Sequence, residues 1–440
     1  MTTDEASRTG PARQRAIILR PIVDQSGRDP ALALGEARGL AEALDLEIFR
    51  ADTVTLRQRA PGAYFGAGRI EALTEEIKEN HIDVLVVDAS LTPVQQRNLE
   101  RALMAKVIDR TGLILEIFAR RARTKEGVLQ VELARQQYER SRLVRTWTHL
   151  ERQRGGLGKM GGPGETQIET DRRLLQGRIE KLKADLEKVR RIRTQQRRAR
   201  ARAGLPAVVF VGYTNAGKSS LFNRLTRAGV LAKDMPFATL DPTARLVKLP
   251  SSRQVVVADT VGFITDLPTE LVAAFRATLE AVAEADVLVH VRDIAHAETD
   301  AQAADVHGVL ELVLRQAGRE NPPPTIEAWN KIDLLTDDRR AARLHRAPGD
   351  RAIAISALTG EGVDELLEAL DAAAYGAAQI VTLTLDAADG RARAMIASQG
   401  RILDESVDDA GRLHVRAELP VESLSRLRGY IVEPEVMAAE

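Results

Sequence analysis

The chain has no cysteine, so neither disulfides nor cysteine-ligated zinc organises it, which fits a reducing compartment. Aromatic residues are only 3% of a sequence that is 44% hydrophobic, so its cores must be aliphatic. No run reaches the roughly 18 apolar residues of a membrane span. The first apolar run, Ala16 to Leu19, is too short for a secretory leader, and there is no lipidation motif. The seven histidines are scattered, with His290 and His296 six apart and no H-x-H or H-x-x-x-H pattern, so no histidine metal site is expected. The expected location is the cytoplasm, with peripheral contact at a membrane as the alternative and no stable insertion. A monomer is expected.

Net charge is also absent, at 63 basic against 63 acidic residues, but the balance hides a segregation. Between Ala119 and Ala203 stand 24 Lys and Arg against 10 Asp and Glu. A solvated helical face mixes its signs more evenly than that. The excess points to a polyanionic partner, nucleic acid before membrane.

At 440 residues the chain has room for about three domains. Residues 1–15 read as a disordered tail. Residues 16–118 alternate strand-like stretches (Ala16 to Leu19, from Ile48, Asp83 to Asp88) with helical ones (Ala31 to Leu44, Thr92 to Leu103), which predicts a small α/β domain with a parallel sheet. Within it, Gly66-Ala-Gly68-Arg69 is a lone G-x-G and reads as a tight structural turn before a phosphate site. In residues 119–203, Leu175, Ile179, Leu182, Leu186 and Val189 recur at coiled-coil spacing. With the glycine-rich stretch Gly155 to Gly164 read as non-helical, this predicts a basic helical hairpin with a glycine-rich tip. Residues 204–375 read as a doubly wound nucleotide-binding domain with strands at Ala207 to Gly212, Gln254 to Ala258, Val287 to Val291 and Ala352 to Ile355. Residues 376–440 read as a small α+β domain.

Gly212, Tyr213, Thr214, Asn215, Ala216, Gly217, Lys218 and Ser219 follow a strand and precede a helix-forming run, the setting a phosphate-cradling loop needs. Its glycines let backbone N–H groups turn inward, Lys218 supplies a point charge to the β and γ phosphates, and the Ser219 hydroxyl is placed to ligate Mg²⁺. Downstream, Asp259, Thr260, Val261 and Gly262 end an apolar strand. There the carboxylate holds Mg²⁺ through water and the Gly262 N–H reaches the γ-phosphate. Between them Phe237, Ala238, Thr239, Leu240 and Asp241 occupy the place of a switch loop, with Thr239 the candidate second Mg²⁺ ligand and Thr243 its rival. Asn330, Lys331, Ile332 and Asp333 then identify the base. Asp333 can accept from the N1–H and N2–H₂ of guanine, whereas adenine has no such donors and would leave a buried carboxylate unpaired. Ser356, Ala357 and Leu358 follow a late strand, where backbone N–H groups can meet the guanine O6.

Together these motifs read as a GTP-hydrolysing site with Lys218, Asn215, Thr239 and Gly262 as its catalytic set. Phe263 stands where Ras-like switches carry a water-orienting glutamine, and a phenyl ring cannot orient water. A slow intrinsic rate with acceleration by a partner is therefore expected.

These residues closely resemble the HflX GTPases, a family of bacterial ribosome-associated proteins. The likeness is carried by Gly161-Gly-Pro-Gly-Glu-Thr-Gln-Ile-Glu-Thr-Asp-Arg-Arg173, by the phosphate loop and by Phe237-Ala-Thr-Leu-Asp-Pro-Thr243, and it covers about residues 16 to 375. It implies a factor that binds the large (50S) ribosomal subunit and its 23S rRNA in the GTP state and splits or rescues stalled ribosomes. Asn215 resembles the asparagine of translational GTPases that use K⁺ where others use an arginine finger; a loop-capping role is the alternative. Arg152, Arg154 and Lys159 beside the slim tip, with Arg172 and Arg173 behind it, are the candidate RNA contacts, made by shape and phosphate more than by base. Two other readings stay open: a nucleotide-gated RNA- or ribosome-binding module in which hydrolysis only sets release, and a membrane-linked signalling GTPase.

Overall fold

The computed structural model describes residues 13–23, 29–153, 163–227, 236–237, 239, 243–265, 276–319, 321–338, 340, 352–376, 378–386, 389–408, 410–420, 424, 427 and 430–434. They fall into two compact units. The first comprises Met1–Ile192, Lys233–Asp241 and Asp266–Arg276, the second Arg193–Ala232, Pro242–Thr265 and Ala277–Glu440.

The first unit opens with β1 (Arg15–Ile22), α1 (Pro30–Glu42), β2 (Glu47–Thr55), α2 (Ala67–Glu79), β3 (Val84–Val87), α3 (Pro93–Leu103), β4 (Lys106–Asp109) and α4 (Arg110–Arg121). The strands form a parallel sheet in the order β2-β1-β3-β4, the arrangement that alternating strands and helices predict. One of its core clusters, built on Ile17, Leu85 and Leu99, is aliphatic apart from Tyr64 and Phe65. These two sit in a tight turn closed by the Ala60–Tyr64 bridge, with Tyr64 at φ 66°, and the adjoining Gly66-Ala-Gly68 supplies the N-cap and first turn of α2.

Two long helices follow, α5 (Lys125–Gln153) of 29 residues and α6 (Pro163–Arg202) of 40, the latter about 60 Å long. Asp109 fastens α5 to the sheet. It caps α4 through the Gly112 N–H and accepts from Tyr138 Oη at 2.6 Å and from the Arg142 guanidinium at 2.7 Å. Arg140 Nη1 donates to Gln176 Oε1 at 2.7 Å, linking α5 to α6. On α6 the seam is real: Ile179 is buried and Leu175, Leu182, Leu186 and Val189 are half-buried among exposed charges. One boundary differs from expectation, since α6 begins at Pro163 and takes in Gly164. Proline suits a first helical position because its missing N–H would lack an intrahelical partner anyway. The rest of the tip lies outside the described residues.

The second unit holds β5 (Ala207–Val211), α7 (Lys218–Thr226), β6 (Thr243–Lys248), β7 (Gln254–Asp259), α8 (Arg276–Ala283, from Ala277 onward), β8 (Val287–Asp293), α9 (Thr299–Gln316), β9 (Thr325–Asn330), β10 (Ala352–Ala354) and α10 (Val363–Tyr375). The sheet runs β10-β9-β8-β5-β7-β6, parallel throughout except for the edge strand β6. Such sheets bind ligands beyond the carboxyl ends of their strands. The phosphate loop follows β5, Asp259 ends β7, Asn330 ends β9 and Ser356 follows β10, so one edge collects all four motifs.

The same unit continues into β11 (Ala378–Asp386), α11 (Gly390–Gln399), β12 (Arg401–Val407), β13 (Arg412–Pro420) and β14 (Ile431–Pro434). These strands form an antiparallel sheet ordered β12-β13-β11-β14. Alternate residues Val381, Leu383 and Leu385 pack with Ile396 of α11, the period-two pattern of a sheet with one covered face. Among the described residues no helix is long and apolar enough to cross a membrane.

Candidate functional site

The loop after β5 closes tightly because glycine stands where a side chain cannot. Gly212 has φ 148°, and a Cβ there would lie 2.2 Å from Val291 O. Gly217 has φ 94°, and a Cβ there would lie 2.1 Å from Asn330 Nδ2. Asn215 is exposed at φ 61°, a left-handed conformation that asparagine tolerates better than most side chains. Lys218 is buried, its Nζ donating to the carbonyls of Gly212 (3.1 Å) and Tyr213 (2.7 Å). Burial pushes its ammonium down to about 8, with nearby Asp259 pulling the other way.

Ser219 Oγ donates to Asp259 Oδ2 at 2.7 Å, and Asp259 is fully buried at the end of β7. Hydroxyl and carboxylate oxygens are hard donors, the set Mg²⁺ prefers. Thr243 opens β6 directly opposite Asp259 in the antiparallel ladder. Thr239 and Phe237 are buried and belong to the first unit. Ala238, Leu240 and Asp241 lie outside the described residues, as do Arg154 and Lys159. Arg172 and Arg173 are exposed on α6, and Arg152 lies on α5.

The segment after β7 is stitched to the phosphate loop. Phe263 N donates to Gly212 O (3.1 Å) and Thr214 N donates to Phe263 O (2.7 Å). Gly262 approaches so closely that a Cβ would lie 2.8 Å from Thr214 Cα and 2.9 Å from Lys218 Nζ. Thr260 is buried with its hydroxyl donating to Phe210 O at 2.6 Å, and Val261 is buried beside it. Thr265 is a partner that sequence reasoning missed: its N–H donates to Tyr213 Oη at 2.8 Å and its hydroxyl lies 2.5 Å from the same oxygen. Phe263 is buried with Val209, Val211, Leu288 and Val306, so its ring does not face the loop.

At the base end the division of labour differs from the expected one. Asn330 is buried and spends both ends of its amide on the protein, Nδ2 donating to Ala216 O at 2.8 Å and Oδ1 accepting from the Ala357 N–H at 2.9 Å. It braces the phosphate loop against the loop after β10. The Ser356 N–H donates to Glu361 O, so the N–H groups of Ser356 and Ala357 both have protein acceptors. Asp333 is exposed, where a buried carboxylate was expected. The one-turn 3-10 helix Ile332–Leu334 anchors Ile332 in the core and turns Asp333 outward, where Ser356 Oγ donates to its Oδ1 at 2.6 Å. Lys331, at φ 69°, pairs with Asp293 at 2.7 Å, and Leu358 is exposed.

Sequence comparison carries the same assignment. Profiles described as GTP-binding GTPase N-terminal, GTP-binding GTPase Middle Region and 50S ribosome-binding GTPase match residues 32–119, 121–200 and 207–331. The GTPase HflX of Magnetococcus marinus is 49% identical over 425 residues, covering 96% of each chain, and that of Escherichia coli is 42% identical over 394 residues, covering 90% of this chain and 91% of the other. The chain belongs to the HflX family of GTPases. A solved structure of a GTP-binding protein from Sulfolobus solfataricus with GDP is 24% identical, covers 82% of this chain and 98% of its own, and has a TM-score of 0.43. As a member of this family the protein binds GTP and hydrolyses it, on an α/β fold containing a P-loop GTPase domain.

Proposed function

We infer that this GTPase binds the large ribosomal subunit through rRNA in its GTP state and separates stalled ribosomes, with hydrolysis setting its release. The observation that carries the reading is the basic block, 24 cationic against 10 anionic residues from Ala119 to Ala203, borne largely on two long helices. Long cationic helices suit a phosphate-lined surface. The family profile that matches residues 207–331 carries ribosome binding in its description, and the relatives match nearly the whole chain.

In the proposed chemistry Lys218 leaves its carbonyl partners to meet the β and γ phosphates, and the Gly262 N–H senses the γ-phosphate. Mg²⁺ neutralises phosphate charge when bound, held by Ser219 and Asp259 with Thr239 or Thr243 as the further oxygen donor. Asp333 reads the guanine edge, desolvated only once a base covers it. Because Phe263 is turned into the core, water must be positioned by backbone groups, by K⁺ held at Asn215 or by the ribosome, so intrinsic turnover is slow. Sedimentation of ribosomes with the protein and GTP, a non-hydrolysable analogue or GDP tests this. Co-sedimentation with the 50S subunit under the first two but not GDP is expected; equal association in all three states would overturn the nucleotide-gated reading.

A further inference from the structure

His290, His307 and Glu327 are far apart in sequence, and their spacing holds no metal signature, yet the fold brings one ligand atom from each to within 4.8 Å of the others. His290 and Glu327 stand side by side in the β8–β9 ladder, and His307 comes from α9, which packs over β8. The two imidazoles meet edge to face with centroids 5.1 Å apart. Sequence spacing alone gives no sign of this juxtaposition.

Two features point to a ligand. His290 is buried, and its Nδ1 has no hydrogen-bond partner among the described residues. A buried imidazole nitrogen is normally satisfied, so a bare one inside a cluster of donors calls for explanation. Glu327 is the second feature. Trp329 Nε1 (2.8 Å) and Arg292 Nη1 (2.9 Å) both donate to its Oε2, which fixes the carboxylate and leaves Oε1 with its lone pairs. An outer partner that orients a ligating carboxylate is the usual companion of a metal site.

We propose that His290, His307 and Glu327 form a binding site for a divalent transition-metal ion, with Zn²⁺ the best match, on the α9-covered face of the GTPase sheet and separate from the nucleotide's Mg²⁺. Two imidazoles and a carboxylate are a borderline donor set that suits zinc and leaves a fourth position for water. The ligand atoms must close to roughly 3.4 Å for bonds of about 2.1 Å in tetrahedral geometry. His307 is exposed on α9 and can swing inward, while His290 is fixed in the strand. The metal would clamp α9 to the strand pair β8–β9. It would not take part in hydrolysis.

The test uses full-length, tag-free protein saturated with Mg²⁺ and GDP, so that the phosphate site is filled. Co²⁺ is titrated and read by its visible d–d bands, then displaced by Zn²⁺. One site per chain with the absorption of a low-coordinate complex is expected. H307A, at an exposed position, should weaken binding at least about tenfold, and E327Q should do the same, with GDP affinity unchanged in both. H414A, which alters a distant histidine, should bind as the parent protein does. No stoichiometric site in the parent protein, or undiminished Co²⁺ binding in H307A, would overturn the proposal.

Discussion

Phe118 meets Phe237 edge to face, with ring centroids 4.8 Å apart and planes at 85°. Phe118 ends the α/β core of the first unit, and Phe237 lies in the segment proposed as a switch. Phe237 is buried and holds φ 56°, a strained left-handed conformation for a bulky residue that only its surroundings can maintain. The residue that opens the proposed switch segment is therefore anchored to the amino-terminal domain by an aromatic contact.

A double-mutant cycle between Phe118→Leu and Phe237→Leu should return a coupling of about 0.5–1.5 kcal/mol in chemical denaturation, the value of a buried aromatic pair beyond its area. Additive effects would mean that the rings are neighbours without energetic consequence.

Tyr213→Phe removes one oxygen that serves two groups of Thr265. The Thr265 N–H is left buried without that acceptor, which should cost about 1–3 kcal/mol of stability. The same hydroxyl ties the segment after Asp259 to the phosphate loop, so kcat for GTP should fall more than GDP affinity. Stopped-flow binding and single-turnover hydrolysis separate the two. Equal losses in both would make the clamp merely structural.

Asn330→Ala withdraws a brace rather than a base contact. It strands the Ala216 carbonyl and the Ala357 N–H together, and each buried orphan costs about 1–3 kcal/mol. GTP and GDP affinity should fall alike, by about ten- to a hundredfold, because the affected loop serves both. Calorimetry against both nucleotides checks this; a loss confined to GTP would count against the brace.

Why the sequence disclosed some of this and not the rest follows from where each signal resides. The phosphate loop was legible because its strand, its glycine-lysine-serine spacing and its helix are contiguous in sequence, although the close approaches that require glycine at 212 and 217 come from Val291 and Asn330 on distant strands. β5, β7 and β8 were legible because buried parallel strands read as unbroken apolar runs. The edge strands were not. β6 and β12 are largely exposed, with Leu246 and Val407 facing solvent, and they have no apolar signature. Nor can spacing disclose that Asn330 meets a carbonyl 114 residues away, that Thr265 meets Tyr213, or that His307 meets His290 across a helix and a strand. Those pairings exist only once the sheet order is set.

Lys218 makes the nucleotide affinity depend on pH. Desolvation brings its ammonium to about 8, whereas a triphosphate against Nζ favours the charged form and raises it again. Below pH 8 the lysine is charged before and after binding, and affinity is flat. As pH rises through 8 the unbound form loses its proton first, binding must recover it, and affinity falls by about tenfold per unit until the bound form also titrates. Fluorescent-nucleotide titrations from about pH 6.5 to 9.5 would show the break. Lys218→Arg removes that ionisation from the range while guanine's own titration persists. The break near 8 should therefore vanish in the variant, whose affinity is lower but level there. A wild-type curve that parallels the variant's would mean that Lys218 stays charged throughout.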